Sequence, residues 1–288
     1  MEPQSNNNSL ELTESEKYRY DRQIKLSEVG ISGQLKLKNS KVIVIGAGGL
    51  GSSCLMNLGG CGIGKICIVD YDNVDIQNLH RQIIHNTSSA GLNKAISAKK
   101  FINALNPEIE VISITDKFTN ENAIELCKNY DIIVDCCDNA KTRYICNDAA
   151  VLLNKPFISA GTVRWDGQVG VYVKSPSGGV LPCYRCLHPI PPPEKNVKKC
   201  AEVGIMGTLP SIMGSLEANE VIKFILGRDD NLLIKKIMIY DGLDNKVKIM
   251  KTRDIRDDCV ICGKNKSINI NNFKDYDYDT FIKSGNSQ

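Results

Sequence analysis

A glycine-rich turn between an apolar run and a helical pattern constrains the fold of this chain more than any other segment. Residues 42–45 are continuously apolar, which is typical of a strand buried on both faces. Gly46, Gly48, Gly49 and Gly51 follow at once, and a helical pattern begins among them. A strand, a glycine turn and a helix in this order hold the phosphates of a nucleotide, because glycine lets the ligand approach the backbone closely.

Polar residues beyond the turn narrow the choice of nucleotide. Asp70 ends the next apolar strand, 19 residues after Gly51 (70 − 51), where a carboxylate can hold a ribose hydroxyl. The turn and this aspartate alone also fit an NAD-dependent oxidoreductase. Asn78, Arg81 and Lys94 follow, and an amide, a guanidinium and an ammonium group beside a nucleotide suit a triphosphate better than a nicotinamide.

Length and composition exclude several classes of protein. At 288 residues the chain is long enough for one large α/β domain or two smaller ones. The net charge of +3 is too small to indicate a nucleic-acid or membrane partner, and no apolar run is long enough to span a bilayer. Residues 1–15 are polar and are predicted to be disordered. Twelve cysteines without a signal peptide indicate reduced thiols and a cytoplasmic location.

The periodicity of the chain predicts a Rossmann-like, doubly wound α/β fold. Strand patterns occur at residues 41–45, 65–69, 109–115, 131–135 and 155–160. Helical patterns occur at residues 49–61, 94–105 and 120–129. Their alternation predicts a mainly parallel sheet. Antiparallel strands are predicted at residues 168–174, 234–240 and 246–251, where they would extend it.

A second candidate for the nucleotide site follows the fourth predicted strand. Ligands in doubly wound sheets bind beyond the carboxyl ends of the strands, and Asp138 and Asn139 stand at such an end. Asp138 is therefore a candidate helix N-cap, a residue that faces the ligand, or both.

Two cysteine pairs predict a structural zinc site. Cys183 and Cys186 form one Cys-x-x-Cys pair, and Cys259 and Cys262 form a second pair 72 residues further on (259 − 186 − 1). One pair alone could be redox-active, but two pairs indicate four thiolates around a tetrahedral Zn²⁺. Four protein ligands leave no open position for chemistry, so the zinc would be structural. Disulfide bonds are the alternative.

A further cysteine lies on a segment that cannot form long regular structure. Pro189 and three consecutive prolines at residues 191–193 precede Cys200, and a long helical pattern follows at residues 209–225. Lys198 and Lys199 place positive charge beside Cys200, which favours a thiolate. Cys200 is therefore a candidate nucleophile, with an incidental loop thiol as the alternative.

The motifs together resemble the ThiF/MoeB/HesA family, relatives of the ubiquitin-activating enzymes. The family signature Asp-x-Asp-x-Val-x-x-x-Asn-Leu-x-Arg-Gln matches residues 70–82. The Tyr-Arg-Tyr-Asp-Arg-Gln arm at residues 18–23 and the Cys-Tyr-Arg-Cys pair are most similar to MoeB and the adenylation domain of its eukaryotic homologues. The resemblance implies an adenylation domain over residues 16–264. It would have a nucleotide-binding half at about 40–160 and a zinc- and carrier-binding half at about 161–264.

The resemblance implies an activity and a partner. Members of this family adenylate the C-terminal glycine of a ubiquitin-like sulfur-carrier protein that ends in Gly-Gly. The reaction consumes ATP with Mg²⁺, releases pyrophosphate, and serves molybdenum cofactor biosynthesis or tRNA thiolation. A homodimer and a sulfurtransferase supplied in trans are implied as partners.

The resemblance also implies roles for particular residues. Arg81 and Lys94 would contact the triphosphate, and Arg22 would reach the triphosphate of the other subunit. Asp138 would lie near the magnesium ion and the α-phosphate. Asp70 would bind the ribose, Asn78 would orient phosphate oxygens, and Cys200 would form a thioester or a persulfide in some branches only. Without the resemblance, Arg22 would be read as a surface arginine and Lys94 as a solvated lysine.

Two other functions remain open at this point. One is the NAD-dependent oxidoreductase, and the other is a non-catalytic subunit of a heterodimer that activates a ubiquitin-like protein. Residues 265–288 are polar and are predicted to be a tail or linker. Eukaryotic relatives that also transfer sulfur carry a rhodanese domain after this point, and no such domain is expected within this sequence.

Overall fold

The computed structural model describes residues 11–192 and 204–285. Within them lies one mixed sheet of eight strands in the order β3-β2-β1-β4-β5-β6-β7-β8. The strands are β1 (Lys41–Ile45), β2 (Lys65–Val69), β3 (Glu110–Ile114), β4 (Ile132–Asp135), β5 (Phe157–Val163), β6 (Asp166–Tyr172), β7 (Lys236–Asp241) and β8 (Lys246–Lys251).

Strand direction confirms the predicted architecture. The strands β1 to β5 pair in parallel, and β6, β7 and β8 are added by antiparallel pairing. The chain order reverses at β1, whose neighbours are β2 and β4. A crevice opens at such a switch point beyond the carboxyl ends of the strands, and ligands of doubly wound sheets bind there.

Helices cover both faces of the sheet. They are α1 (Glu14–Arg19), α2 (Asp21–Ile24), α3 (Gly30–Asn39), α4 (Gly49–Cys61), α5 (Lys94–Leu105), α6 (Ala123–Cys127), α7 (Ala140–Leu152), α8 (Tyr184–Leu187), α9 (Thr208–Leu226) and α10 (Tyr278–Ser284). None of those within the described ranges is long and apolar enough to cross a bilayer.

Alternating residues of β1 pack in two different hydrophobic clusters. Val42 and Val44 belong to the cluster on one face, and Ile43 and Ile45 belong to the cluster on the other. A strand buried on both faces reads as a continuous apolar run, which explains the sequence pattern at residues 42–45. The helix α4 packs closely against α9, because a side-chain carbon at Gly214 would overlap the backbone of α4.

Some element boundaries differ from the predicted ones. The strand β5 runs to Val163 and β6 begins at Asp166, because the two form a tight hairpin in which these residues pair. Arg164, at the turn, has a positive φ of 54°. The helix α6 is shorter than predicted, since the Asn122 side chain accepts a hydrogen bond from the Thr119 N–H and forms a turn before it.

The two ends of the described chain pack against the domain. Leu12 is buried, and a capping box at Thr13 begins α1, so order begins before residue 16. After residue 264 the expectation was a polar tail or linker, but Ile268, Phe273 and Tyr278 are buried in the second cluster. These three apolar residues occur every fifth position in a segment that is otherwise mostly polar, so composition alone did not predict their burial.

Candidate active site and metal centre

The glycine turn is shaped by close backbone contacts. Gly46 has a φ of +102°, and an added Cβ would lie 2.7 Å from the Cys136 carbonyl oxygen. An added Cβ at Gly51 would overlap the carbonyl of Gly46. At Gly48, by contrast, the nearest atom to an added Cβ is Gln82 Nε2, at 3.6 Å. Gly46 and Gly51 are thus required by packing, whereas the missing side chain at Gly48 leaves space beside the N-terminus of α4.

The first turn of α4 can receive an anion. Gly48 is the N-cap of this helix and no side chain caps it. The first N–H groups of an uncapped helix lack acceptors and carry partial positive charge, so they favour a phosphate.

Both backbone polar groups of Ala47 are hydrogen-bonded. Its N–H donates to Asp70 Oδ2 at 2.7 Å, and its carbonyl oxygen lies 2.9 Å from His85 Nε2. Nδ1 of the same histidine lies 2.9 Å from Ser97 Oγ on α5. Burial raises the pKa of Asp70 and lowers the pKa of His85. A neutral imidazole with its proton on Nε2 satisfies both contacts, and sequence reasoning gave this histidine no role.

Lys94 lies at the first position of α5 and is not a solvated lysine. Only 7% of its side chain is exposed, and Nζ lies 3.0 Å from Asp72 Oδ2. Asn93 caps the helix and also donates to the carbonyl oxygen of Asp70 at 2.9 Å. The start of α5 is therefore fixed to the end of β2, which brings Lys94 to the same edge as Asp70.

Arg81 and Asn78 meet each other beside the glycine turn. Arg81 Nη2 donates to Asn78 Oδ1 at 2.8 Å, and Nη1 lies 2.7 Å from His80 Nε2. An added Cβ at Gly49 would lie 3.6 Å from Arg81 Cγ, so the stem of this arginine passes close to the turn. Arg81 and Asn78 are thus paired beside the glycine turn, and Lys94 lies with Asp72 beyond the end of β2.

Asp138 lies at the end of β4 and is exposed. The N-cap of α7 is Asn139, whose Oδ1 accepts the N–H of Thr142 at 2.8 Å. The expectation that Asp138 could be the cap is therefore wrong, since its neighbour has that role. The negative charges of Asp72 and, more weakly, Asp138 both contribute to the raised pKa of Tyr71. Both carboxylates are thus close enough to Tyr71 to affect the pKa of its hydroxyl.

A buried ion pair fixes the turn that carries Asp138. Arg143 Nε lies 2.6 Å from Asp135 Oδ2, and Nη2 donates to the Cys137 carbonyl oxygen at 3.2 Å. The N–H of Cys137 donates to Asp135 Oδ1 at 3.1 Å. Both backbone polar groups of Cys137, the residue before Asp138, are therefore hydrogen-bonded. Sequence reasoning missed Arg143, because an arginine in the first turns of a helix has no distinctive pattern.

The four predicted cysteines converge in one cluster. Cys183 and Cys186 come from the segment that forms α8, and Cys259 and Cys262 from the loop after β8. The Sγ–Sγ distances are 3.9 Å (Cys183–Cys186), 3.7 Å (Cys183–Cys259), 3.3 Å (Cys186–Cys262) and 3.4 Å (Cys183–Cys262). Thiolates about 2.3 Å from a tetrahedral zinc ion would be about 3.8 Å apart. All four cysteines are free rather than joined in disulfide bonds, and the cluster fits a metal ion.

Polar contacts from α7 support this cluster. Asn147 Oδ1 accepts the N–H of Tyr184 at 2.6 Å. Asp148 receives Nε and Nη2 of Arg185, each at 2.8 Å, and the hydroxyl of Tyr278 at 2.6 Å. The guanidinium of Arg185 also lies 4.2 Å from the ring centre of Phe281 on α10. The loop that carries one cysteine pair is thus tied to both α7 and the C-terminal segment.

Two predicted residues lie apart from these sites. Arg22 is on α2, its side chain is 91% exposed, and the nearest carboxylate is that of Asp21, at 3.3 Å. It is a surface arginine in the single chain. Cys200 lies outside the described residues.

Several curated proteins are similar to this chain in sequence. The curated proteins that match include two named adenylyltransferase and sulfurtransferase MOCS3. That of Culex quinquefasciatus is 44% identical over 94% of this chain and 60% of its own length. That of Dictyostelium discoideum is 41% identical over 94% of this chain and 62% of its own length. The chain therefore spans about three fifths of the length of these relatives.

Solved structures also match. The crystal structure of E. coli MccB with ATP has a TM-score of 0.72 and 25% identity, and the match covers 90% of this chain and 76% of that one. PaaA gives a TM-score of 0.71 with 25% identity, over 87% of this chain and 77% of that one. The model of the ThiF family matches residues 20–261, most of the sequence. The chain belongs to the ThiF family.

Proposed function

We propose that this protein uses ATP to adenylate the C-terminal glycine of a ubiquitin-like sulfur-carrier protein. The observation that carries the proposal is the pairing of Arg81 with Asn78 beside the glycine turn, with the buried Lys94 paired to Asp72 beyond the end of the neighbouring strand β2. Such a set suits a triphosphate. The names of the curated relatives support the proposal for the part of their length that this chain spans.

The nucleotide would lie across the turn. Its phosphates would meet the N–H groups at the start of α4 above Gly48, and Asp70 has lone pairs left to accept a ribose hydroxyl. Asn78 uses its carbonyl oxygen on Arg81, so its amide N–H groups remain to donate to phosphate oxygens.

The chemistry needs charge stabilisation rather than proton transfer. A C-terminal carboxylate has a pKa of about 3.5 and is already ionised at neutral pH. Its oxygen bonds to the α-phosphorus, the bond from that phosphorus to the bridging oxygen of the leaving group breaks, and pyrophosphate departs with the electron pair. Arg81 and Lys94 would stabilise the charge on the phosphate oxygens. Mg²⁺ bound with ATP neutralises phosphate charge, and Asp138 is the residue that would hold it.

We further propose a homodimer in which the exposed Arg22 reaches the triphosphate bound by the other subunit. The four-cysteine cluster would hold a structural Zn²⁺, because four thiolates fill a tetrahedral site. Free thiols fit a reducing compartment such as the cytoplasm. Cys200 remains the candidate thiol for a thioester or persulfide, with sulfur supplied by a sulfurtransferase, in molybdenum cofactor biosynthesis or tRNA thiolation.

Carrier-dependent exchange of labelled pyrophosphate into ATP tests this function. The purified protein is assayed with a MoaD-like carrier, a ThiS-like carrier and a ubiquitin-related modifier, each with an intact Gly-Gly end. Exchange with one carrier establishes adenylation and names the pathway. ATP binding without exchange for any carrier contradicts the proposal and favours a non-catalytic subunit.

A further inference from the structure

Two thiols and a carboxyl group from three elements meet in the interior of the domain. Cys54 lies on α4, Cys136 directly follows β4, and Glu217 lies on α9. All three are buried, and their Sγ atoms and a carboxylate oxygen lie within 4.8 Å of one another. The motifs found in the sequence include none of these residues, and the proposed adenylation chemistry does not use them.

The carboxyl group of Glu217 is only partly satisfied. The residue is 0% exposed, and its Oε2 accepts a hydrogen bond from the thiol of Cys136 at 3.1 Å. Its Oε1 is shielded from water and has no hydrogen-bond partner, and among the described residues Glu217 forms no salt bridge. Buried polar groups are nearly always paired in folded proteins. The unpaired atom is an acceptor, so the partner it lacks is a cation or a hydrogen-bond donor.

The neighbouring thiols favour a metal cation. Thiolates are ligands for Zn²⁺ and other soft ions, and Zn²⁺ also accepts carboxylate oxygens. Two thiolates and both oxygens of one carboxylate supply the four donor atoms of a tetrahedral ion, so such a site would be structural. Sulfur and oxygen ligands of a tetrahedral zinc ion are about 3.6 Å apart. The contact between Cys136 and Glu217 would have to open by about 0.5 Å to reach this separation.

The cluster lies directly beneath the glycine turn. A Cβ added to Gly51 would be 3.6 Å from the Cβ of Cys136, and one added to Gly46 would be 2.7 Å from the Cys136 carbonyl oxygen. An ion held here would join α4, the end of β4 and α9 under the segment that is expected to receive the nucleotide.

We propose that Cys54, Cys136 and Glu217 form a second metal site, for Zn²⁺, separate from the four-cysteine cluster. The site needs neither ATP nor a carrier protein, so the inference does not depend on adenylation. Its ligands come from three elements, and the ion would stabilise their packing beneath the glycine turn.

Glu217→Gln is the variant that tests the site. It keeps the shape of the side chain but removes the carboxylate. The wild type and the variant are produced in medium supplemented with zinc, and mass spectrometry measures the metal bound per chain. We expect the variant to hold one zinc ion fewer than the wild type. Because a difference is measured, the result does not depend on whether the four-cysteine cluster is filled.

Glu220→Gln is the matched control. Glu220 lies on the same helix and is also buried, but its carboxylate is paired. It accepts the N–H of Leu233 at 3.0 Å and forms a salt bridge with Lys223. We expect this variant to have a lower melting temperature and an unchanged zinc content.

The same zinc content in Glu217→Gln as in the wild type, or an equal loss in Glu220→Gln, overturns the inference. The cluster would then be a metal-free, hydrogen-bonded group, and the proposed function would stand. If Glu217→Gln does not fold, Cys54→Ala replaces it, with Cys127→Ala as the control, because Cys127 is a buried thiol outside both clusters.

Cobalt gives a test that needs no variant. Wild-type protein produced with Co²⁺ in place of Zn²⁺ should show the absorption of a site with two thiolates and a carboxylate, which differs from that of a site with four thiolates. A spectrum without the mixed site overturns the inference.

Discussion

The metal centre and the nucleotide edge, both in contact with α7 or its first turn, differ in how their charged groups are paired. At the metal centre, Asp148 takes up both the guanidinium of Arg185 and the hydroxyl of Tyr278, and all of these groups are buried. At the nucleotide edge, Asp138 is exposed and Gln82 is buried without a partner. The buried, fully paired groups at the metal centre indicate a structural role, whereas the nucleotide edge keeps polar groups that a ligand could reach. Changes at the metal centre should therefore affect stability, and changes at the nucleotide edge should affect binding and turnover.

The largest effect is expected from loss of the metal ion proposed for the four-cysteine cluster. Removing it with a chelator, or replacing one ligand by Cys259→Ser, should lower the free energy of unfolding by several kcal/mol. The upper bound is the roughly 10–16 kcal/mol known for structural zinc in small peptides. The checks are metal analysis by mass spectrometry and denaturant unfolding with and without chelator. Cys61→Ser serves as the control, because Cys61 lies outside the cluster. An unfolding curve that does not respond to removal of bound metal would contradict a structural site.

The next effect tests the buried ion pair beside the metal. Asp148→Asn leaves the buried guanidinium of Arg185 without a counter-charge, so it should cost about 3–5 kcal/mol of stability. Asp279→Asn breaks an exposed pair with Lys141 and should cost less than about 1 kcal/mol. Denaturant unfolding measures both. Equal costs for the two variants would mean that the metal end is not held by its internal charge pairing.

The third prediction concerns two residues at the nucleotide edge. Arg81→Ala and Asp138→Ala should each lower pyrophosphate exchange by a factor of about 10²–10³, equivalent to about 2.7–4 kcal/mol in the transition state. Stability should change little, because neither residue is buried. Lys128→Ala, which removes an exposed pair with Glu125 on α6, should leave both exchange and stability unchanged. Normal exchange in either variant removes that residue from the mechanism.

The smallest effect is a change in pH dependence at His85. Burial lowers the pKa of this histidine below the unfolded value of about 6.5, and the positive charge of Lys94 adds to the shift. Between the two pKa values the unfolded chain therefore binds more protons than the folded chain. The contribution of His85 to the free energy of unfolding is complete above the unfolded pKa, and it is lost as the pH falls toward the folded pKa.

The test compares the wild type with His85→Gln in unfolding experiments from pH 8 to pH 5. The wild type should lose stability relative to the variant as pH falls, by at most about 1.4 kcal/mol per pH unit. Parallel pH profiles would show that His85 does not titrate with folding.

Sequence reasoning was strongest where one physical requirement fixes one residue type. The glycine turn, the two-faced strand at residues 42–45 and the paired cysteines each have such a requirement, and the structure has all three. It was weakest where a contact joins residues that belong to different elements. Arg143 pairs with Asp135, and Arg185 with Asp148, across turns and helices that no local pattern reveals. The burial of Ile268, Phe273 and Tyr278 was missed for another reason. Their spacing of five residues matches neither a helix nor a strand.

The placement of α7 limits how this fold can be recombined with its relatives. The helix has 13 residues and spans about 20 Å, with the turn of Asp138 at its start and the supports of the cysteine cluster further along it. A chimera with its junction inside α7 would join a nucleotide edge and a metal end that were not selected together. A functional hybrid must therefore inherit α7, β4 and both cysteine pairs from the same parent.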